Sequence, residues 1–530
     1  MPSTKQKPSG QGKQPEKAVV THVDGALDAP PELWEIIASS LPRKSLAALC
    51  LVCRQFCSTI SAILYRDLSD PPLNIAQSSH LVETLNNEHT LCCPTTSLSI
   101  RKLAFREGYA ANQKSRAAIE ALRGLASHPQ ASVLRALHWD SMPGLDDSGR
   151  ILLGGNHLPN LTELVVKCDA ERVNNFNFIQ TRGLQTLQLD LKMEDDYDQY
   201  ELGRKICYKL TEALQMLPYS SPLLHTFHFR LAYPYYEETF PHEAYSDLIA
   251  AMNDSMHFSA LTTLELSVDL QNDESFDGEF DPYDDDLPCT DFGKFLVANP
   301  TLVDLTLSVA QTTCPKDVPF LPHLRFFKGT FEFAAALLAG PAHVEKLDLT
   351  FTGPTYAAFT VFRTVPLPSH PSLTHLEVLA LDHNGKPLKM VDQLTPSTLA
   401  QLVSSFPNLT HLDICISGRF EDYRKDLMLL NKLQTLRVQE YKLFPGFKLA
   451  RAGVKEEFPP NKCIKEFKHI VSNLSALQSI EICILADAEE SVDEEIAFYP
   501  PEMKIEYRFT WTRLPTLKFL SRTKITRGRD

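Results

Sequence analysis

Three carboxylates and two histidines have the types and the spacing to form one polar binding surface. Asp348, Glu377 and Asp413 occupy the same position in three similar apolar segments, and His375 and His411 stand two residues before the last two of them. Neighbouring strands of a sheet lie about 4.8 Å apart, so equivalent residues of adjacent strands would form a row. We expect this row to receive a basic segment of a target protein. Solvated polar residues on an ordinary strand face are the alternative.

The position shared by these carboxylates can be followed through other apolar segments of the chain. The equivalent residues are Val165, Gln188, His228, Glu265, Thr306, Lys328, Asp348, Glu377, Asp413, Arg437 and Glu481. Of the residues outside the central group, we assign Glu265 to the same target-binding surface. The candidate surface therefore depends on whether these segments form adjacent strands.

An acidic stretch from Asp273 to Asp286 has oxygen ligands at the spacing of a calcium loop. Loop positions one, three, five, six, nine and twelve hold Asp273, Ser275, Asp277, Gly278, Asp281 and Asp284. A calcium loop ends in glutamate and lies between helices, whereas here an aspartate comes last, a strand motif precedes and Pro288 follows. We favour an acidic insertion whose like charges repel, and assign no metal site.

Catalytic and metal-binding motifs are missing from the sequence. Cys50, Cys53 and Cys57 lie close together, but no second cysteine or histidine pair completes a four-ligand zinc site. The sequence contains no nucleophile elbow, phosphate-binding glycine loop, HExxH motif or kinase motif. We therefore expect a protein that is not an enzyme, with no catalytic residue and no cofactor.

The candidate surface residues belong to a recurring apolar motif, L-x-x-L-x-L. It begins at Ile100, Leu134, Leu161, Leu184, Leu224, Leu261, Leu302, Leu324, Val344, Leu373, Leu409, Leu433 and Leu477. Helical periodicity between motifs predicts helices at Ile206–Leu217, Glu243–Met256, Phe333–Leu338, Ser397–Val403 and Lys465–Leu474. Alternation from Met503 to Trp511 predicts a terminal strand.

This pattern resembles an array of leucine-rich repeats with irregular spacing. The resemblance implies short strands that bury their leucines, bond to the next strand and carry helices or loops outside. It also implies a concave face, on which the residues between the buried leucines would meet a ligand. Amphipathic segments of an ordinary α/β protein are the alternative.

The segment from Pro30 to Leu68 predicts three short helices. Two prolines suit the start of the first helix, and Pro42 ends it. Ser45 is placed to cap the second helix, and the third runs from Phe56 to Leu64. Apolar residues at helical spacing are Leu33, Ile36, Ile37, Leu41, Leu46, Leu49 and Val52. Three helices of this length bury too little surface alone, which leaves apolar side chains for an interdomain core or a partner.

The order of residues in this segment resembles an F-box. The resemblance rests on proline and glutamate before Leu33, the Ile36-Ile37 pair, Leu41-Pro42, the run Val52-Cys53-Arg54-Gln55-Phe56 and Leu64-Tyr65. It implies docking on the Skp-family adaptor of a cullin-based ubiquitin ligase. The adaptor-facing residues that it implies are Pro31, Leu33, Ile36, Ile37, Leu41, Pro42, Leu46, Leu49, Val52, Cys53 and Arg54.

Composition narrows the partners and the compartment. The net charge of −14 and the dispersed basic residues argue against nucleic acid as a partner. No apolar run is long enough to cross a bilayer, and the N-terminus lacks an apolar signal core, so we expect no membrane association and no secretion. The 12 cysteines have no regular disulfide spacing, which indicates reduced thiols in the cytosol or nucleus.

The predicted fold class is α/β, with an N-terminal helical F-box-like module followed by an irregular leucine-rich-repeat solenoid. The predicted domains are a disordered tail at 1–25, the module at 26–70, a linker at 71–95, the solenoid at 96–520 with an acidic insertion at 271–290, and a basic tail at 521–530. The resemblances imply the substrate-recognition subunit of a Skp-cullin-F-box ubiquitin ligase. The alternative is a repeat scaffold that acts independently of ubiquitination.

Overall fold

A computed structural model describes the chain in segments. The described residues are 30–52, 54–74, a few between 77 and 83, 102–106, 133–140, 158–170, 173, 176–193, 200–235, 248, 251–253, 255–272, 290–309, 321–329, 331–340, 343–352, 369–381, 395–417, 420–444, 469–470, 472–488, 503–512 and 519–527. The predicted N-terminal tail, the calcium-like stretch from Asp273 and most of the helix predicted from Glu243 lie outside them. The chain forms two compact units, Met1–Asp67 with Asn87–Ile100, and Leu68–Asn86 with Arg101–Asp530.

The described part of the first unit consists mainly of three helices. They are α1 (Pro31–Ser39), α2 (Arg43–Cys50) and α3 (Arg54–Leu64). Pro31 is tolerated at the start of α1 because the first N–H of a helix has no partner within the helix. The predicted capping role of Ser45 is wrong, since Pro42 precedes the helix and Ser45 lies within its first turn. Val52 lies beyond the end of α2 rather than within it.

The remaining described residues form a mixed α/β structure with a large, mostly parallel sheet. Its 16 strands neighbour one another in chain order. They are β1 (Asp67–Leu73), β2 (Lys102–Arg106), β3 (Ala136–Asp140), β4 (Glu163–Asp169), β5 (Thr186–Lys192), β6 (Thr226–Tyr235), β7 (Thr263–Asn272), β8 (Asp304–Val309), β9 (Phe326–Lys328), β10 (Lys346–Thr352), β11 (His375–Leu381), β12 (His411–Ser417), β13 (Thr435–Phe444), β14 (Ser479–Ala488), β15 (Met503–Thr512) and β16 (Phe519–Arg527). Successive pairs from β2 to β14 are parallel, whereas β15 and β16 pair antiparallel.

The predicted apolar motifs correspond to these parallel strands. Each strand from β2 to β14 begins two residues after the first residue of a motif. Buried and half-buried residues alternate along β4 and β5, and Leu347, Leu376 and Leu412 are buried at aligned positions. Strands of a parallel sheet covered on both faces are apolar nearly throughout, so this alternation indicates one core face and one polar face.

Short helices lie between several strands. They are α4 (Tyr200–Gln215), α5 (Leu217–Ser220), α6 (Thr290–Ala298), α7 (Phe331–Ala339), α8 (Pro396–Ser405) and α9 (Phe420–Leu427), together with a 3-10 turn at Asn177–Gln180. The helices predicted near residues 206, 333 and 397 are confirmed as α4, α7 and α8. Helices α6 and α9 were not predicted, and the helix predicted from Lys465 is described only at residues 469–470 and 472–473.

Several predicted boundaries differ from the described elements. Strand β1 crosses the predicted limit between module and linker at residue 70. The predicted basic tail from residue 521 is wrong, because β16 continues to Arg527. The strand predicted from Met503 is confirmed as β15. The predicted acidic insertion begins at the end of β7 and finishes where α6 begins.

Candidate functional site

The three N-terminal helices form a small core of their own. Ala38, Leu46, Phe56, Ile60 and Ile63 are buried together. Packing against them are Trp34, Leu41, Leu49, Cys50 and Leu64, and the rings of Trp34 and Phe56 meet edge to face with centroids 4.6 Å apart. Such an aromatic pair adds about 1 kcal/mol beyond its burial. This core holds the three helices in one arrangement and thereby positions the side chains on their outer surface.

Large apolar side chains are exposed on α1 and on the turn that follows α2. Leu33, Ile36 and Ile37 are 50%, 66% and 45% exposed, and Leu51 and Val52 are 88% and 65% exposed. Exposed apolar groups are common singly, but five within one small helical unit indicate a surface that meets another protein. We call Leu33, Ile36, Ile37, Leu51 and Val52 the apolar patch.

The predicted adaptor-facing residues separate into three groups. Leu33, Ile36, Ile37, Pro42 and Val52 are exposed, as docking requires. The expectation for Leu46 is wrong, because it is 4% exposed and lies in the core. Leu41 and Leu49 are partly buried against that core. The side chains of Pro31 and Arg54, and the whole of Cys53, lie outside the described residues.

Leu51 is the most exposed member of the apolar patch, and sequence reasoning missed it. Helical spacing selected Leu49 and Val52 on the assumption that α2 continues through residue 52. The helix ends at Cys50, so Leu51 and Val52 both stand on a turn. A leucine directly beside the predicted valine was the available signal.

Comparison with known protein families agrees with this surface. Residues 30–64 match the F-box domain. The matched segment contains α1, α2 and α3, together with every residue of the apolar patch. A search of curated proteins found none that matches the chain. F-box domains generally bind Skp-family adaptors, so the match supports an F-box protein with a general adaptor-binding role in ubiquitin ligation.

The polar face of the sheet carries the second group of predicted site residues. The hydrogen-bonded register aligns His138, Val165, Gln188, His228, Glu265, Thr306, Lys328, Asp348, Glu377, Asp413, Arg437 and Glu481, one from each strand from β3 to β14. We call this line of residues the polar row. The predicted alignment of Asp348, Glu377 and Asp413 is confirmed, and their role in target binding stays a prediction.

Cations lie on both sides of the three carboxylates. Lys328 Nζ is 3.0 Å from Asp348 Oδ2 on the β9 side. Arg437 Nη1 is 3.2 Å from Asp413 Oδ2 on the β13 side, and Arg437 Nε lies 4.0 Å from Glu481 Oε1. The predicted uniformly acidic wall is therefore wrong in detail, because two of its three carboxylates already have positive partners.

Burial shifts the protonation of the two carboxylates nearest the middle of the row. The pKa of Glu377 is raised, first by burial and then by the charge of Asp348. Burial raises the pKa of Asp413 to about 7, against the opposing effect of Arg437. Oδ1 of Asp413 is buried without a hydrogen-bond partner among the described residues, which agrees with a costly ionised form. The negative charge of this part of the row therefore increases as pH rises towards neutrality.

Asp413 should make the stability of the sheet depend on pH. Its folded pKa of about 7 lies above that of an unfolded aspartate, so the folded state holds the extra proton and stability is lost as pH rises through 7. We expect the wild type to lose about 1 kcal/mol of unfolding free energy between pH 6 and pH 8 relative to Asp413→Asn. Urea unfolding of both proteins at several pH values measures this difference. A difference that does not vary with pH would contradict the assignment.

The other predicted residues fall at separate points of the polar face. His375 and His411 pair in register on β11 and β12, and their stacked rings lie beside the central carboxylates of the row. Glu265 lies on β7, three strands from Asp348, and its Oε2 is 3.5 Å from His228 Nδ1. A similar pair joins His138 Nε2 to Glu163 Oε1 at 2.8 Å. The structure therefore brings five of the six predicted target-binding residues together and leaves Glu265 apart.

Neither a metal cluster nor a membrane-spanning helix occurs among the residues that the structure describes. No group of three histidine, cysteine, aspartate or glutamate side chains in that part of the chain could hold a metal ion. Its cysteines, Cys50, Cys57, Cys168, Cys207 and Cys415, are free thiols. None of its helices has the length and apolar character needed to cross a membrane.

Proposed function

We propose that this chain is the substrate-recognition subunit of a Skp-cullin-F-box ubiquitin ligase. The observation that carries this proposal is the F-box match at residues 30–64 together with the exposed apolar patch on the same helices. Docking removes these side chains from water, at about 25 cal/mol for each Å² of apolar surface buried. The adaptor would then connect the chain to a cullin.

This role needs no catalytic residue in the chain. Holding a target beside the ubiquitin-carrying enzyme converts a bimolecular reaction into one with a high effective concentration. We propose accordingly that the protein is not an enzyme and that it works in the cytosol or the nucleus. Neither nucleic acid nor a membrane is a proposed partner, because the basic residues are dispersed along an acidic chain.

The sheet is the proposed target-binding part, and we interpret it as an irregular leucine-rich-repeat solenoid. The sequential order of the parallel strands and the aligned buried leucines support this interpretation. In such arrays each repeat packs only on its neighbours, so successive strands can present one extended surface. The polar row is that surface in this chain.

The proposed target carries a basic segment that meets the polar row between β9 and β14. Asp348, Glu377 and Asp413, with His375 and His411, form the central contact, and Glu265 would contact a separate part of the target. Asp348 and Asp413 already have cationic partners, so Glu377 is the carboxylate that we expect to gain most from a new positive charge.

A repeat scaffold that works without a ubiquitin ligase is the alternative function. It would need the apolar patch to pack within the protein instead of against an adaptor. The exposure of Ile36 and Val52 favours adaptor docking over this alternative.

Co-elution of the purified full-length chain with a Skp-family adaptor tests the proposed function. Size-exclusion chromatography should give one complex containing both proteins. A well-folded chain that elutes separately from the adaptor at micromolar concentration would contradict the proposal and favour the scaffold.

A further inference from the structure

His375 and His411 form a stacked pair on the polar face. Their ring centroids are 3.9 Å apart, and the ring planes differ by 8°. The two residues are register partners on the parallel strands β11 and β12. One strand spacing therefore relates the rings, which face each other over most of their area.

Threonine hydroxyls determine which nitrogen of each ring carries the proton. Thr374 Oγ1 donates to the carbonyl of Glu345 over 3.1 Å, and the same oxygen lies 2.8 Å from His375 Nδ1. Because the only hydroxyl proton is used on the carbonyl, Nδ1 must carry the hydrogen that bridges to Oγ1. Thr410 repeats this arrangement, donating to the carbonyl of Thr374 over 3.0 Å and lying 2.8 Å from His411 Nδ1.

Both Nε2 atoms are consequently bare acceptors when the rings are neutral. Each ring is anchored at Nδ1 by the threonine that precedes it, so the two Nε2 atoms lie on the same edge of the stack. Among the described residues, no donor contacts either Nε2 atom. The edge thus offers two parallel acceptors about 4 Å apart, as the spacing of the stacked rings requires.

The surroundings keep the rings neutral. Burial lowers the pKa of both histidines, with the neighbouring His411 adding to the effect on His375. Lys346 of β10 lowers both pKa values further, although its Nζ lies over the ring of Phe326 at 5.0 Å from the centroid. Glu345, before β10, acts in the opposite direction on His375.

The other charged groups on this face are carboxylates and one arginine. Two residues beyond the histidines, β11 carries Glu377 and β12 carries Asp413. On the next strand, β13, Thr435 is in register with His411, and Arg437 is paired with Asp413. A ligand group at the histidine edge therefore meets neutral acceptors first and the carboxylates next.

We propose that the Nε2 atoms of His375 and His411 accept hydrogen bonds from the guanidinium of an arginine in a bound protein segment. A guanidinium is planar, is always charged and presents several N–H donors in a fixed arrangement, which suits two acceptors on one edge. Glu377 and Asp413 supply the nearby negative charge. This inference rests on the proposed function and names the basic group that its target would place on the polar row.

The geometry also makes the interaction depend on protonation. A proton on Nε2 turns an acceptor into a donor and adds a positive charge that repels the guanidinium. Acidification would protonate Glu377 and Asp413 as well, which weakens the same interaction by a different route. Replacing both histidines with glutamine separates the two effects, because Gln Oε1 can take the acceptor place of Nε2 and does not titrate in this range.

A labelled hexa-arginine peptide, followed by fluorescence anisotropy at about pH 8, tests the proposal on the full-length chain. In the double variant H375F/H411F, aromatic rings can still stack but have no acceptor. We expect its Kd to rise at least about tenfold, since hydrogen bonds to charged donors are the stronger class. His138→Phe is the matched control, because His138 Nε2 is already engaged by Glu163 on the distant β4. Its Kd should stay within about twofold of the wild type.

Four further results decide the proposal. Weaker binding of a hexa-lysine peptide, and retention of hexa-arginine binding by H375Q/H411Q with less acid sensitivity than the wild type, would support it. Equal affinity of wild type and H375F/H411F, or of the two peptides, would overturn it in favour of general charge attraction. Absence of peptide binding by a wild-type chain that co-elutes with the adaptor would overturn the arginine site and leave the proposed function standing. Loss of adaptor binding alone would count against the proposed function and not against the histidine pair.

Discussion

The double variant I36D/V52D should lose binding to a Skp-family adaptor while the rest of the protein stays folded. Ile36 and Val52 are 66% and 65% exposed, so aspartate at these places remains in water in the free chain. In the complex each substitution removes an apolar contact worth about 2 kcal/mol and buries a carboxylate without a partner. We expect at least a 100-fold increase in Kd, since about 2.8 kcal/mol already corresponds to that factor.

Two variants control this experiment. Val297→Asp introduces the same charge at a valine that is 62% exposed on α6, and should leave adaptor binding unchanged. Leu46→Ala removes a buried side chain from the helical core and should destabilise the three helices by about 3 kcal/mol. Titration calorimetry measures adaptor binding, and circular dichroism follows the helices.

A fall in the melting temperature of I36D/V52D would change the interpretation. It would mean that the apolar patch packs within the protein, as the scaffold alternative requires. Unchanged adaptor affinity in a folded I36D/V52D would exclude the patch as the docking surface and would also count against the substrate-receptor function.

The strands were predictable from the sequence because one apolar pattern marks each of them. A leucine at the first motif position precedes every parallel strand by two residues, and the later motif positions are buried in register. The alignment of Asp348, Glu377 and Asp413 follows directly, since residues at equal motif positions become register partners. Backbone geometry alone determines this part of the candidate site.

The chemistry of the polar row was less predictable, although its members were known. Lys328 and Arg437 belong to the same row as the carboxylates, but only the coordinates reveal that they pair with Asp348 and Asp413. The stacking of His375 on His411 depends on side-chain torsions and on hydroxyl hydrogen bonds that a motif does not encode. A stricter reading of the sequence would have set the charges of adjacent strands against one another.

The helical module was predictable in its parts and not in its surface. The order of apolar residues indicates three helices, but the end of α2 decides whether Leu51 and Val52 are on a helix or on a turn. Helix ends are the least certain feature of a sequence pattern because propensities change gradually along the chain. For the same reason helical spacing did not separate Leu46, which is in the core, from Ile36, which is exposed.

Asn299 should be the polar residue on which the stability of the sheet depends most. Its side chain is fully buried between the C-terminal end of α6 and the chain segment before β7. Nδ2 donates to the carbonyls of Met256 and Phe295 over 2.9 and 2.8 Å, and Oδ1 accepts from the N–H of Phe258 over 2.8 Å. One side chain thus satisfies three backbone groups that water cannot easily reach.

We expect Asn299→Ala to lower the free energy of unfolding by about 3 kcal/mol, because three buried backbone groups lose their partner at once. Asn473→Ala is the matched control, since Asn473 Nδ2 also donates to a backbone carbonyl, that of His469 over 2.7 Å, but at an exposed site. Water can replace that bond, so its loss should cost about 0.5 kcal/mol. Urea unfolding compares the two variants, and hydrogen exchange at the Phe258 amide should accelerate only in Asn299→Ala. Equal destabilisation by both substitutions would contradict the view that one buried asparagine joins α6 to the segment before β7.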